Sequence, residues 1–259
     1  MSPVFAYGDL VLLVDRKNRR YLVRLVEEGQ FHSHAGYIPH ADFVGQSDGH
    51  LARSTRGGSY LAVTPTLAEF IIQMPRGAQV IYPKDIGAIL MNADIFPGAR
   101  VLEAGVGSGA LSMGMLRVGA DIVGYELRED FAAKAVSNVT SFLGAEAASR
   151  YRVELRDIYD GIDERGLDRI VLDLPEPWNV VKHAQSALRP GGILFAYVPS
   201  TVQVARFHEA LADSAFDMAQ TIEVLHRGWY VKGDAVRPDH RMVGHTGFLT
   251  TARLLGEIE

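Results

Sequence analysis

Val101-Leu102-Glu103-Ala104-Gly105-Val106-Gly107-Ser108-Gly109-Ala110-Leu111 carries an apolar strand into three alternating glycines and then into a helix. Glycine adopts positive φ without strain and has no Cβ. Gly105, Gly107 and Gly109 therefore let the chain bend tightly and bring its backbone against a ligand. The spacing is Gly-x-Gly-x-Gly after an acidic residue, Glu103, whereas the dinucleotide fingerprint is Gly-x-Gly-x-x-Gly. With Ala110 in the last position a relaxed dinucleotide version also fits. A methyl donor bearing a nucleoside and NAD both stay open at this point.

Outward from that turn, strands alternate with helices, the pattern of a parallel sheet wrapped by helices. Strands are expected over 100–104, 121–126, 151–156, 169–174 and 192–198, with helices over 109–118, 129–142, 178–188 and 201–213. Two β runs, 221–230 and 246–254, are expected to pair antiparallel at the sheet's edge. Glu126 ends the second strand, where a carboxylate can accept hydrogen bonds from both hydroxyls of a ribose; alone it would be a solvated strand-end charge. Asp157, in Leu155-Arg156-Asp157-Ile158, follows the third strand at the position that reaches an adenine amino group. Without the motifs before it, it would be a loop aspartate. Glycine-rich turn, acidic strand end, acidic loop is the order of the class I methyltransferases, whose Rossmann-like α/β sheet has helices on both faces. That order ranks a methyl donor above NAD.

Before Thr64 the chain reads differently. Asp9–Asp15 and Tyr21–Val26 are short β-prone runs around a polar, basic turn, a hairpin signature. Glycine and histidine become frequent through Phe31–Gly58, and Thr64-Pro65-Thr66 closes the module. A small β-rich N-terminal domain over 1–64 and a donor-binding catalytic domain over 65–259 are expected. A helix over 67–73 should start at the cap Thr66 and stop at Met74-Pro75.

The chain has 259 residues, 47% hydrophobic and 22% charged, enough for one sizeable core plus a small module. It has no cysteine, so disulfides, cysteine-held zinc and the usual iron–sulfur clusters are out. Met1–Tyr7 lacks the basic-then-apolar pattern of an export signal, and no apolar run reaches membrane-spanning length. A cytoplasmic protein without a membrane anchor is expected. The net charge of −5 counts against a protein that coats nucleic acid indiscriminately. A local cluster (Arg16, Lys17, Arg19, Arg20, Arg24, with Arg53 and Arg56) remains, although charge alone favours a solvated hairpin tip. His32, His34 and His40 lack a cysteine or nearby carboxylate to complete a zinc set, so no metal is expected.

The fourth strand ends at Asp173-Leu174-Pro175-Glu176-Pro177-Trp178, at the carboxyl end of a central strand, where such sheets bind ligands. Two prolines fix the backbone locally and Trp178 offers a flat surface for packing or stacking, though such a loop could simply cap a helix. Asp-x-Pro-x-Pro-Trp resembles the catalytic loop of the tRNA adenine-N1 methyltransferases acting at position 58, of the bacterial and archaeal homotetrameric type. Pro75-Arg76-Gly77-Ala78-Gln79-Val80-Ile81-Tyr82-Pro83-Lys84-Asp85 is similar to the segment those enzymes place ahead of the glycine-rich turn. Phe31–His40 resembles their small N-terminal domain, especially its actinobacterial form. The likeness continues to Arg227-Gly228-Trp229 and Gly244-His245-Thr246, covering nearly the whole chain.

This resemblance implies that Asp173 is catalytic and also near the donor. It implies that Ile81, Ser108, Gly109, Ala110, Leu111, Glu126, Asp157 and Ile158 surround S-adenosylmethionine, beside Glu103, Gly105 and Gly107 of the turn. Gln79 and Tyr82 would face the reaction centre. It further implies tRNA as substrate and a homotetramer. Phe131 departs from the pattern: relatives often carry His or Arg there, and a polar contact to the donor goes missing with it.

Adenine N1 has an in-plane lone pair and a sulfonium methyl is already activated, so no covalent enzyme nucleophile is needed. The enzyme must align the two and manage the positive charge that spreads to the exocyclic N6. Asp173 suits the second task as acceptor of a hydrogen bond or proton from N6, a role worth about 10²–10⁴-fold. A base extruded from the T-loop would enter a pocket beside Pro175, Pro177 and Trp178. Three rival readings share parts of this pattern. A class I methyltransferase of small molecules or proteins is opposed only by the Asp173–Trp178 segment and the N-terminal module. An NAD-dependent oxidoreductase differs in its cofactor. A non-catalytic subunit of a two-component enzyme is opposed by the intact glycines and Asp173.

Overall fold

The computed structural model describes residues 4–77 and 79–256. Met1–Pro3 of the expected N-terminal domain, Ala78 of the segment before the glycine-rich turn and Glu257–Glu259 lie outside the described residues. The chain divides into two compact units between Met74 and Pro75.

In the first unit β1 (Leu10–Asp15) and β2 (Arg20–Arg24) form the expected hairpin, with Leu12 opposite Leu22. β3 (Gln30–Ser33) and β4 (Gly36–Pro39) make a second hairpin. β5 (His50–Arg53) and β6 (Ser59–Val63) complete a four-stranded antiparallel sheet in the order β2-β1-β6-β5. Alternation buries Val11, Leu13, Ala52, Tyr60 and Ala62 on one face with Leu25, Phe31, Ile38 and Phe43. Tyr21, Phe31 and Tyr60 meet edge to face at 5.2–6.2 Å between centroids.

Helix α1 (Leu67–Gln73) begins with a reciprocal cap: the Thr66 hydroxyl accepts from Glu69 N at 3.2 Å and the Glu69 carboxylate accepts from Thr66 N at 3.0 Å. Its Glu69 also pairs with Arg20 of β2 at 3.1 Å. That cross-tie is one reason the unit runs past the breaker at Thr64-Pro65-Thr66. In the basic hairpin tip Arg19 is bound by Asp15 at 2.6 Å. His40 accepts from Val26 N at 3.0 Å, His34 lies 3.2 Å from the Arg19 guanidinium, and the His32 ring sits 5.9 Å from that of Tyr37.

The second unit opens with α2 (Pro83–Asn92) and continues through β7 (Arg100–Ala104), α3 (Ala110–Arg117), β8 (Asp121–Glu126), α4 (Glu129–Ala148) and β9 (Tyr151–Leu155). There follow β10 (Leu167–Leu172), α5 (Val181–Ala187), β11 (Leu188–Val198) and α6 (Thr201–Ala212). The chain ends through β12 (Phe216–Glu223), β13 (Trp229–Lys232), β14 (Ala235–Pro238) and β15 (Phe248–Leu254). The seven-stranded sheet has the order β12-β15-β11-β10-β7-β8-β9. The five strands β7 to β11 are parallel, and β15 is antiparallel to both its neighbours. Successive crossovers move outward from β7 to β9, then return to β10 and move the other way. Right-handed connections therefore put helices on both faces, and the order reverses at the carboxyl end of β7.

Three expectations change. β10 stops at Leu172, so Asp173 is the first residue beyond the sheet. The run expected over 221–230 splits: β12 leaves its partner at the Glu223–Phe248 pair, and 229–238 fold on themselves as the β13–β14 hairpin. α4 runs beyond its expected end through a break at Gly144, whose φ is +82°. Among the described residues no helix is long and apolar enough to cross a membrane.

Candidate active site at the end of the central strands

β7 and β10 are adjacent, and the chain leaving each turns away at the same point. Asp173 N–H donates to the Ala104 carbonyl at 2.9 Å, and Gly105 N–H donates to that of Tyr125 at 3.2 Å. Gly105 has φ +82°, and a Cβ there would lie 2.1 Å from the Asp173 carbonyl oxygen. Only glycine allows this approach. Gly109, at φ +80°, caps α3 and passes close to Ala135 of α4. From α4 the buried Asn138 amide donates to the Ser108 carbonyl at 3.0 Å and that of Pro75 at 3.2 Å. Asn138 thus pins the turn to the segment before α2, a role that no motif announced.

A narrow cleft along the turn is lined by Gln79, Val80, Ile81, Glu103, Gly105, Val106, Gly107, Ser108, Ala110, Leu111 and Asp173. The sequence had nominated all of these except the two valines. Glu103 is 2% exposed and accepts from the Ser112 hydroxyl at 2.6 Å; burial pushes its carboxyl up to about 8. The Ser108 hydroxyl is buried without a hydrogen-bond partner, and a Cβ on Gly107 would meet nothing within 4 Å. An orphaned donor, an open glycine and an acid at the closed end fit the amino-acid portion of S-adenosylmethionine.

Gly109, Glu126, Asp157 and Ile158 do not line this cleft. Glu126 flanks it, accepting from Gly107 N at 3.0 Å and Arg128 N at 3.0 Å. Asp157 caps a short turn by accepting from Tyr159 N at 2.9 Å, beside the buried Ile158. Phe131 is buried, and Arg128 lays its guanidinium 4.0 Å above the ring, so a cation occupies the neighbourhood from an adjacent position.

A larger cavity of about 510 Å³ adjoins the cleft, sharing Gln79, Val80, Ile81 and Asp173. Tyr82, Tyr197, Pro199, Val243, His245 and Thr246 form the rest of its wall. Asp173 lines both concavities and is exposed by surface area, although its carboxylate sits amid crowded protein. The dense protein around it pushes its carboxyl up to about 7. Behind the wall, Thr246 Oγ1 donates to the fully buried Asp85 at 2.8 Å and accepts from Lys84 Nζ at 2.6 Å. Tyr197 hydrogen-bonds Thr246, and burial pushes its hydroxyl up to about 12. Sequence reading gave Tyr197 and Pro199 no role. Residues from α2 and from the stretch before β15 meet here only through the fold.

The expected base pocket beside Pro175, Pro177 and Trp178 is not the one observed. Pro177 is buried, and Trp178 packs on the central core with the Arg206 guanidinium 5.3 Å over its ring. The short helical turn Pro177–Val180 carries both inward ahead of α5. The larger cavity is lined instead by 79–82, Tyr197, Pro199 and 243–246.

Comparison with known proteins agrees with this geometry. A family profile described as the tRNA methyltransferase complex GCD14 subunit matches residues 59–237, and one described as TrmI-like N-terminal matches residues 4–51. The chain is 37% identical over 251 residues to the tRNA (adenine(58)-N(1))-methyltransferase TrmI of Thermus thermophilus, covering 96% of this chain and 98% of that one. A solved SAM-dependent O-methyltransferase of Thermotoga maritima superposes with TM-score 0.93 at 32% identity, over 99% of this chain and 96% of that one. The tRNA (m1A58) methyltransferase TrmI of Aquifex aeolicus gives TM-score 0.86 at 26% identity, covering 98% and 100%.

Proposed function

This chain belongs to the tRNA (adenine-58-N1)-methyltransferase family, and from that premise we propose how it works. It transfers a methyl group from S-adenosylmethionine to N1 of adenine 58 in the T-loop of tRNA. The observation that carries the mechanism is the position of Asp173, which lines both the glycine-lined cleft and the 510 Å³ cavity.

S-adenosylmethionine supplies a methyl group already activated on sulfur. Glu103 and Ser108 hold the donor's amino-acid end, Glu126 its ribose hydroxyls and Asp157 with Ile158 its adenine; the glycines bring backbone against it. In the larger cavity Asp173 accepts a hydrogen bond from N6 of the target adenine and opposes the charge that grows there as N1 is methylated. A carboxyl near 7 is matched to taking up that proton at neutral pH. Gln79 and Tyr82 position the base beside it. A guanine would set its O6 against Asp173, oxygen to oxygen, and be disfavoured. In-line displacement at an activated methyl needs no metal.

The catalytic domain in this reading is the second unit, from Pro75 on, with the first unit, which takes in α1, as accessory. A homotetramer is supported by the β13–β14 hairpin, where Trp229, Val231 and Val236 are 58%, 67% and 59% exposed. A tRNA substrate fits a cytoplasmic enzyme whose phosphate contacts come from several copies, since each chain is net negative. Replacing Asp173 by Ala tests the assignment. Turnover on tRNA should fall at least 100-fold, within the range of a lost proton-transfer group, while tRNA binding, supplied by phosphate contacts, changes little. A folded variant turning over at near wild-type rate would remove Asp173 from the mechanism.

A further inference from the structure

The outer wall of the larger cavity, residues 243–246, is fastened at two depths. Inside, Thr246 is held between Asp85 and Lys84, and Lys84 Nζ also donates to Asp85 at 2.7 Å and to the Val224 carbonyl at 2.7 Å. Outside, His245 spans two oxygen acceptors. Its Nδ1 is 2.7 Å from Glu223 Oε1 at the end of β12, and its Nε2 is 2.7 Å from the carbonyl of Pro199, just past β11. A neutral imidazole has one N–H and would turn a lone pair toward one of these oxygens; two acceptors at that distance call for two N–H groups and a positive charge.

The surroundings of the ring point the same way. Glu223 and the Pro199 carbonyl hold the imidazolium above its ordinary value, and Lys84 opposes them more weakly. The Phe248 ring packs at 4.9 Å between centroids. With both nitrogens occupied, His245 has no free atom for acid or base chemistry on a substrate, although it lines the cavity. Its role is positional.

We propose that His245 is a charged strut, an imidazolium bridging Glu223 and the Pro199 carbonyl that holds residues 243–246 in place as the wall of the acceptor cavity and so sets tRNA affinity rather than the chemical step. The inference rests on reading that cavity as the acceptor site. Loss of the proton leaves one oxygen without a donor and frees the wall on that side. KM for tRNA then rises with pH while donor affinity stays level, and the pH dependence of kcat, which follows Asp173, is left as it was in His245→Gln.

Two measurements on the full-length protein test this. Histidine side-chain NMR, with His245→Gln for assignment, should show His245 titrating above the ordinary value of 6.5, and Glu223→Gln should lower it. Steady-state methylation should give His245→Gln a KM for tRNA raised about tenfold, the scale of one charge-assisted hydrogen bond, with kcat within about twofold and the alkaline rise in KM abolished. Wild-type His245 titrating at or below the ordinary value would overturn the strut, as would a His245→Gln enzyme with lowered kcat and unchanged KM. The NMR arm needs no turnover. A wild-type protein that showed the raised titration yet methylated no tRNA would support the strut and refute the assigned reaction instead.

Discussion

Gly105 and Asp173 meet backbone to backbone, so closely that a Cβ on the glycine would lie 2.1 Å from the aspartate's carbonyl oxygen. The glycine-rich turn and the carboxylate proposed to be catalytic are therefore one construction. Gly105→Ala adds a clash to an unfavourable φ of +82°. It should cost about 2–4 kcal/mol of stability and weaken donor binding at least tenfold. Gly107→Ala, at φ +56° with open space around it, should cost only about 1–2 kcal/mol. Denaturation curves and calorimetry on the two variants check the ordering; equal losses of stability would contradict it.

Glu126 already accepts two backbone N–H groups at 3.0 Å, which fixes its carboxylate beside the glycine-rich turn. Its replacement by Ala should weaken S-adenosylmethionine binding by about 1.5–3 kcal/mol, roughly 10–100-fold. Calorimetry giving wild-type affinity for the variant would remove the ribose assignment.

The glycine turn, Glu103, Glu126 and Asp173 were legible in the sequence because local chemistry marks them: a strand running into glycines, and acids at strand ends. The alternating pattern also gave the five parallel strands. Where reading failed, the determining contacts were long-range. Thr246, Lys84 and Asp85 come together only through packing, and nothing in the spacing of Tyr197 or Pro199 reveals that β11 ends at the same cavity. Trp178 misled in the opposite way. Its flat surface suited either packing or stacking beside the expected base pocket, and Pro177 with the turn that follows directs it into the core, the packing role.

Glu103 makes stability depend on pH. Its carboxyl titrates near 8 when folded against an ordinary 4.5. Below 4.5 both states hold the proton and there is no penalty. As pH rises toward 8 the unfolded chain releases its proton while the folded chain keeps it, so stability falls, by on the order of 5 kcal/mol in full. Glu103→Gln should flatten that decline between pH 5 and 8 in urea denaturation. An unchanged slope would mean that Glu103 is ionised in the fold.

Asp173, as the proposed acceptor of the N6 hydrogen bond, should give catalysis an acidic limb. If its carboxylate must accept from N6, kcat/KM should fall below about pH 7 as the carboxyl is protonated. Asp173→Asn should be slow at every pH and lose that limb. A wild-type profile flat from pH 6 to 8 would argue that Asp173 acts in some other way.

The central claim is the atom that is methylated. Unmodified tRNA should be incubated with the protein and S-adenosylmethionine, digested, and its nucleosides mapped by mass spectrometry. The expected product is 1-methyladenosine at position 58. N6-methyladenosine, a methylguanosine, or tRNA left unmethylated by a protein that binds the donor would contradict it.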